Sequence, residues 1–386
     1  MAFRFVWLIM AGLSLAACEN IAPPGSTGSV DVSRAVVVGL LVPLAAENPQ
    51  DAQLGAALVN AARMAQGDVI GAEIELRIYP TAGDANSAAV AAGQAVAEGA
   101  KVLVGPLFAA ETAAVGPVAR AAAVPVFSFS NNISVGGGGV YILGVTYASV
   151  AERLVGFSVA RGLKNIGIVY QSGVDGAAGR AAIEAAIAKS NANLAGAASY
   201  LLTVDGINAA SAGIAAQMKS SGANAVFFTD TPTGGLGFVT AGLRAAGLGE
   251  SAYQYIGLTR WDASGDTLAQ PSLGGGWFAL PDPALTSQFE SRYLAAYGEA
   301  PHDLSGVAYD AVAAVGAMLS AARLVNDRDP FAPARVTDPA GFAGVNGVFR
   351  LLADGRNERG LAVMQVNAGA ATIVDPAPRR FGGPES

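Results

Sequence analysis

From residue 35 onward the chain alternates short β-branched runs with alanine-rich segments, and this rhythm limits the fold more than any other feature. Residues 35–42, AVVVGLLV, are an uninterrupted apolar run that stops at Pro43. Such a run suits a parallel strand covered on both faces, whereas a half-solvated strand would alternate. Residues 51–65 follow with Leu54, Leu58 and Ala61 or Ala62 at helical spacing. Residues 73–79 alternate as a strand. Residues 84–98 open on Asp84, a residue suited to an N-cap, and stop at Gly99. A strand over 101–105, a helix over 111–122 and a strand over 124–129 complete a βαβαβαβ series. That order predicts a parallel sheet with right-handed crossovers.

The rhythm restarts after Tyr141. Helices are expected over 148–161, 176–189, 209–220 and 238–246, and strands over 165–170, 197–204, 224–230 and 253–258. Two α/β lobes follow one another, and the remaining chain must be shared between them. Residues 283–297 and 305–325 read as helices, 347–352 and 361–366 as late strands. The division expected is 35–145 with 284–345 for the first lobe, 146–283 with 346–376 for the second, and a tail over 377–386. About 350 residues also exceed the usual size of a single core.

The start of the chain reads as an address. Arg4 precedes residues 6–15, VWLIMAGLSL, an apolar run too short to cross a bilayer but suited to a secretory signal. Leu15-Ala16-Ala17-Cys18 follows and resembles the bacterial lipobox, which implies a signal peptide over 1–17 and a lipid on Cys18. The alternative is an ordinary signal peptide in which Cys18 is incidental. Cys18 is the one cysteine of the chain, so it forms no intramolecular disulfide. Residues 18–34, rich in Pro, Gly and Ser, read as a tether. Glu19 stands where the enteric sorting pattern places aspartate for inner-membrane retention, so the resemblance favours the outer membrane.

Composition excludes several functions. Removing residues 1–17 takes Arg4 from the 23 basic residues, leaving 22 against 30 acidic side chains. That acidic excess is unsuited to nucleic acid, whose affinity rests on basic groups neutralising phosphates. Mean hydropathy is +0.41, yet no uncharged apolar run after Cys18 reaches the length of a membrane span; the longest helical candidate, 307–325, contains Asp310 and Arg323. One histidine, His302, and one cysteine do not make a zinc site, and no nucleophile–base set accompanies His302. No enzyme, metal or cofactor is expected. The glycine cluster 234–237 completes no phosphate-binding pattern and reads as a tight turn. The run 136–139 divides evenly between a hinge and a plain loop.

Open parallel sheets bind ligands beyond the carboxyl ends of their strands. Those ends are 44–47, 106–111, 128–132, 171–175, 230–233 and 259–262, and two facing lobes would bring them into one cleft. The candidate ligand-binding residues are therefore Leu107, Phe108, Ser128, Ser130, Asn131, Asn132, Asp175, Asp230, Arg260 and Trp261.

VGLLVPL at the first strand, VLVGPLFAAETAAVGPVARAAAVPVFSFSNN in the first lobe and YGEAPHDLSGVAYDAV in the shared region together resemble the leucine-binding-protein-like type I periplasmic binding proteins. The ending GVNGVFRLLADGRNERGLAVMQV is similar to those relatives that activate penicillin-binding proteins. The resemblance runs over about residues 35–376. It implies a type I periplasmic binding protein fold: two doubly wound parallel-sheet lobes, joined by three crossings and closing on a small polar, amino-acid-like ligand. Amino-acid binders of the family carry hydroxylated residues after the first-lobe VGP, where this chain has Leu107-Phe108-Ala109-Ala110. They end the next strand on Ala-Thr or Ser-Thr, replaced here by Ser130-Asn131-Asn132. They also pair the ligand's ammonium with an acid where this chain offers Thr259, Arg260 and Trp261. An ammonium buried without a counter-charge is costly, so Asp175 and Asp230 are the candidates to take over that pairing. Two functions are expected from the resemblance. One is a lipid-anchored periplasmic receptor for an ABC permease. The other is an outer-membrane lipoprotein that stimulates a cell-wall synthase with the same fold. The Tyr309-Asp310 pair of the AYDAV motif is expected to be structural.

Overall fold

The computed structural model describes residues 29–382 apart from Ser264; the signal segment and Cys18 lie outside the described residues. The first lobe is built from β1 (Val36–Val42), α1 (Pro49–Asp68), β2 (Ile74–Pro80), α2 (Ala85–Ala97), β3 (Val102–Val104), α3 (Ala109–Ala121), β4 (Val126–Ser128) and β5 (Val140–Ile142). Its strands pair in the order β2-β1-β3-β4-β5, all parallel. The chain then enters the second lobe through α4 (Tyr147–Ala160), β6 (Asn165–Gln171), α5 (Val174–Ala188), β7 (Asn193–Tyr200), α6 (Val204–Ser220), β8 (Ala225–Phe228), α7 (Leu236–Ala245), β9 (Gln254–Gly257), α8 (Gly265–Leu268) and β10 (Trp277–Leu280). It returns for α9 (Pro283–Tyr297), α10 (Ser305–Leu324) and α11 (Pro333–Val336). A small antiparallel sheet follows, made of β11 (Phe342–Gly344), β12 (Gly347–Leu351) and β13 (Asn357–Arg359). The last strands, β14 (Ala362–Asn367) and β15 (Ala370–Asp375), join the second sheet antiparallel, giving the order β15-β14-β10-β9-β8-β6-β7. The chain therefore crosses between the lobes three times, after β5, after β10 and between β13 and β14.

The unbroken apolar run of β1 is used on both faces of its sheet. Val38, Leu40 and Val42 join the core beneath α1 and α10, while Leu41 joins the one beneath α2 and α3. The second sheet is covered likewise on both faces. Capping side chains set the helix starts: Asp84 accepts from Ser87 N–H at 2.8 Å, and Asp282 accepts from Ala284 N–H at 2.9 Å. The helix α10 is long and apolar enough to cross a membrane by length and composition, but most of it is buried as the core helix of the first lobe.

Several expectations are adjusted. The short strands β5 and β10 were not anticipated, and β7 begins earlier than the expected 197–204. The expected lobe boundary at 345/346 falls inside the small sheet, whose Phe349 and Leu351 lie in the first lobe's core. The stretch 18–34 is not all tether, since Val30 and Val32 are buried in that core and Val30 N–H donates to Arg328 O at 2.8 Å. The glycine run 136–139 lies on the amino side of β5, away from the crossing, with Gly137 N–H bonded to Val140 O. It forms a loop against the β12–β13 turn, where Gly355 packs on Gly137.

Candidate functional site

Both sheets direct the carboxyl ends of their parallel strands at a cavity of about 510 Å³ between the lobes. The first lobe contributes Leu54, Leu107, Phe108, Ala109, Phe129, Ser130 and Asn131, with Asp303, Leu304 and Val307 from the start of α10. The second contributes Tyr147, Val150, Leu258, Thr259, Arg260 and Ala279. The crossings supply Leu143 to Thr146, Pro281 and Arg359, and the β11–β12 turn supplies Asn346. The walls are mainly apolar.

Leu107 and Phe108 hold their places because the loop ahead of α3 is fixed from below. Glu111, fully buried, accepts from Phe108 N–H at 3.1 Å and so ties the loop to the first turn of α3. Burial pushes its carboxyl above the usual range, against the pull of the Phe108 and Leu107 backbone N–H groups. Beside this loop, Ser130 Oγ accepts from Asn132 N–H at 3.1 Å, which leaves its own hydrogen free to donate. Gly144 is required at the first crossing, because a Cβ there would stand 2.6 Å from Ser130 O and 2.7 Å from Phe129 O.

On the opposite wall Arg260 is half exposed. Its Nε and Nη2 donate to Asp262 at 2.9 Å each, and its Nη1 faces Asp303 of the first lobe at 3.9 Å. The hydrogen bonds it donates to Asp262 hold the guanidinium above its already high range, so it is charged. Tyr147 makes no hydrogen bond among the described residues. Burial, with a contribution from the Asp175 charge, raises its hydroxyl, so it is a neutral donor.

The floor of the cleft is a saturated polar network. Arg359 donates through Nε and Nη2 to Leu143 O at 2.9 and 2.6 Å and through Nη1 to Asp310 at 3.0 Å. The ion pair is almost completely buried. Asp310 also accepts from Val345 N–H at 2.8 Å and from Asn346 Nδ2 at 3.1 Å. Asn357 Nδ2 donates to Ile142 O and Gly144 O at 2.7 and 2.9 Å. Tyr309 takes no part in it; its hydroxyl donates to Asp68 at 2.6 Å.

Of the ten residues nominated from the sequence, Leu107, Phe108, Ser130, Asn131 and Arg260 line the cavity, and five do not. Ser128 is buried beneath it, sharing a hydrogen bond with Thr112 at 2.7 Å and donating to Pro106 O. Asn132 turns outward and caps the following turn by accepting from Ser134 N–H at 2.9 Å. Asp175 is exposed, because α5 starts at Val174 and puts it in the first helical turn. Asp230 is buried and accepts from Tyr200 Oη, Thr231 N–H and Gly235 N–H. The glycines 234 and 235 wrap this carboxylate, and a Cβ on either would strike it. Trp261 is completely buried against Phe278. His302 is exposed at the start of α10, its Nδ1 accepting from Leu304 N–H at 3.1 Å. Among the described residues no cluster of His, Cys, Asp or Glu could hold a metal ion.

A sequence profile described as periplasmic binding protein matches residues 35–371. No curated protein matches the chain. Solved structures share its fold across nearly its whole length. A putative branched-chain amino acid ABC transporter protein from Rhodospirillum rubrum is 18% identical with a TM-score of 0.74, covering 88% of this chain and 100% of that one. An ABC transporter substrate-binding protein from Desulfitobacterium hafniense, in complex with Leu, is 16% identical with a TM-score of 0.62, covering 88% and 100%. A solute-binding protein from R. palustris, in complex with benzoate, is 18% identical with a TM-score of 0.57, covering 91% and 99%.

Proposed function

Because the chain belongs to the periplasmic binding protein family, we propose that it is a non-enzymatic solute receptor whose lobes close on one small molecule and deliver it to an ABC permease. The cavity carries this reading: it has the volume of a small-molecule site, apolar walls and a few convergent polar groups. It also lies where facing α/β sheets bind ligands. Solved relatives of the same fold hold leucine in one case and benzoate in another, so the architecture accepts solutes with and without an amino group. Cys18 is the proposed lipid attachment, and Leu15-Ala16-Ala17 ahead of it supports that assignment.

Thermal melting of the purified full chain, freed of co-purified solute, tests the reading against amino acids, organic acids, sugars, short peptides and wall fragments. A ligand at 100 times its Kd adds about 2.7 kcal/mol, and a selective rise in Tm is the expected result. A flat response across the panel would turn the assignment toward the tethered activator of a cell-wall synthase. Membrane attachment that survives Cys18→Ser would remove the lipid anchor.

A further inference from the structure

We infer that the solute is an apolar monocarboxylate without an amino group, held by Arg260 and the hydroxyls of Ser130 and Tyr147. The inference rests on the receptor reading and narrows it to one ligand class.

The polar groups free to meet a ligand are biased toward donation. Ser130 Oγ accepts from Asn132 N–H, and its own hydrogen is free to donate. Tyr147 has a free hydroxyl, kept protonated by its buried position. Arg260 gives two of its edges to Asp262 and turns the third, Nη1, toward the cleft, where its present neighbour, Asp303, is 3.9 Å away. The hydroxyls and the amides of Asn131 and Asn346 can both give and accept, so the bias toward donation rests on Arg260, which only donates. This arrangement matches an anion's acceptor oxygens.

An ammonium finds no equivalent. Asp303 is the one carboxylate on the cavity; its side chain is 77% exposed at the rim and faces Arg260. Of the acids nominated from the sequence, Asp230 is committed to its glycine turn, and Asp175 is exposed outside the cavity lining, its charge reaching only as far as Tyr147. Asp310, beneath the floor, is saturated by Arg359 and Asn346. A free α-amino acid would have to bury its ammonium against walls such as Phe108 and Leu258, which costs several kcal/mol without a counter-charge. An apolar acid of the same skeleton avoids that cost.

Two matched pairs isolate the ammonium: 3-phenylpropanoate against phenylalanine, and 4-methylpentanoate against leucine. Isothermal titration of the full chain is expected to show at least one acid binding tenfold or more tighter than its amino acid. It should also bind tighter than its neutral amide. In Arg260→Gln the advantage of acid over amide should disappear, with the Tm of the unliganded protein unchanged. If phenylalanine or leucine binds as tightly as its acid, the ligand class falls while the receptor reading stands. The same holds if the acids fail but another solute of the wider panel binds. If nothing binds, both fall.

Discussion

The cleft walls and the cleft floor contain the same kinds of charged residue and treat them oppositely. On the floor, Arg359 and Asp310 are almost wholly buried, Arg359 tied to the Leu143 carbonyl of the first crossing and Asp310 to the Val345 N–H of the β11–β12 turn. On the walls, Arg260 and Asp303 face each other across the opening at 3.9 Å, both partly in water. A buried pair is strongly unfavourable to break, because the survivor is left without a partner; an exposed pair is worth little. The floor therefore holds the crossings in register, and the walls keep their charge available for exchange with a ligand.

The largest effect that would break this comparison belongs to Arg359→Met. It strands Asp310 in the interior and is expected to cost about 3–5 kcal/mol in urea unfolding, whereas a loss below about 1 kcal/mol would place the pair with ordinary surface contacts. Adding Asp310→Asn to that variant should return part of the loss, since it removes the unpaired charge and keeps an acceptor for Val345 N–H. Gly144→Ala comes next. Its methyl group meets the Ser130 and Phe129 carbonyl oxygens, and a cost of about 1–3 kcal/mol is expected in the same measurement.

Glu111→Gln should act with the opposite sign. Burial raises the Glu111 carboxyl in the folded state, so its contribution to stability is present below the unfolded carboxylate range and is lost as pH rises through the raised value. Gln keeps an acceptor for Phe108 N–H and carries no charge. Melting curves across pH should find the variant more stable than the parent near neutrality, with the gap closing toward about pH 4. A gap that widens on acidification would show that the carboxylate is favoured in place. The smallest effect is that of Asp303→Asn, expected within about 1 kcal/mol and reduced further by salt.

The strand-and-helix rhythm exposed both lobes, because most of the buried strands are apolar runs and some helix starts carry a capping residue, as Asp84 does for α2. The family match over 35–371 bears out the resemblance read from the first-lobe and AYDAV motifs. The elements that escaped include β5, which follows the 136–139 run, β10, which follows 274–276, and β15, which follows Gly369; the short β11, β13, α8 and α11 escaped with them. In β7 the apolar residues Leu201 and Leu202 drew the expected strand too far, although both are exposed. In the site, the rule of strand ends located Leu107, Phe108, Ser130, Asn131 and Arg260. It does not tell neighbours apart: Arg260 enters the cleft while Trp261, one residue on, turns into the core. Tyr147 and Arg359 escaped because they stand at the edges of crossings, Tyr147 as the first residue of α4 and Arg359 as the last of β13, and no local pattern marks where crossings meet.

The docking of Val30 and Val32 in the first lobe has a consequence for where the protein can work. With a lipid on Cys18, only about ten residues separate the bilayer from this fixed point, a reach below about 40 Å even fully extended. A body of this size has a radius of gyration of about 20 Å, so the leash is no longer than the body is wide. Its attachment lies beyond the far end of α10, about 30 Å along that helix from the cleft. On the proposed function, encounter with a permease in the same membrane would be a search over a surface, with an effective concentration set by the leash. A partner in the opposite membrane would have to come to the receptor.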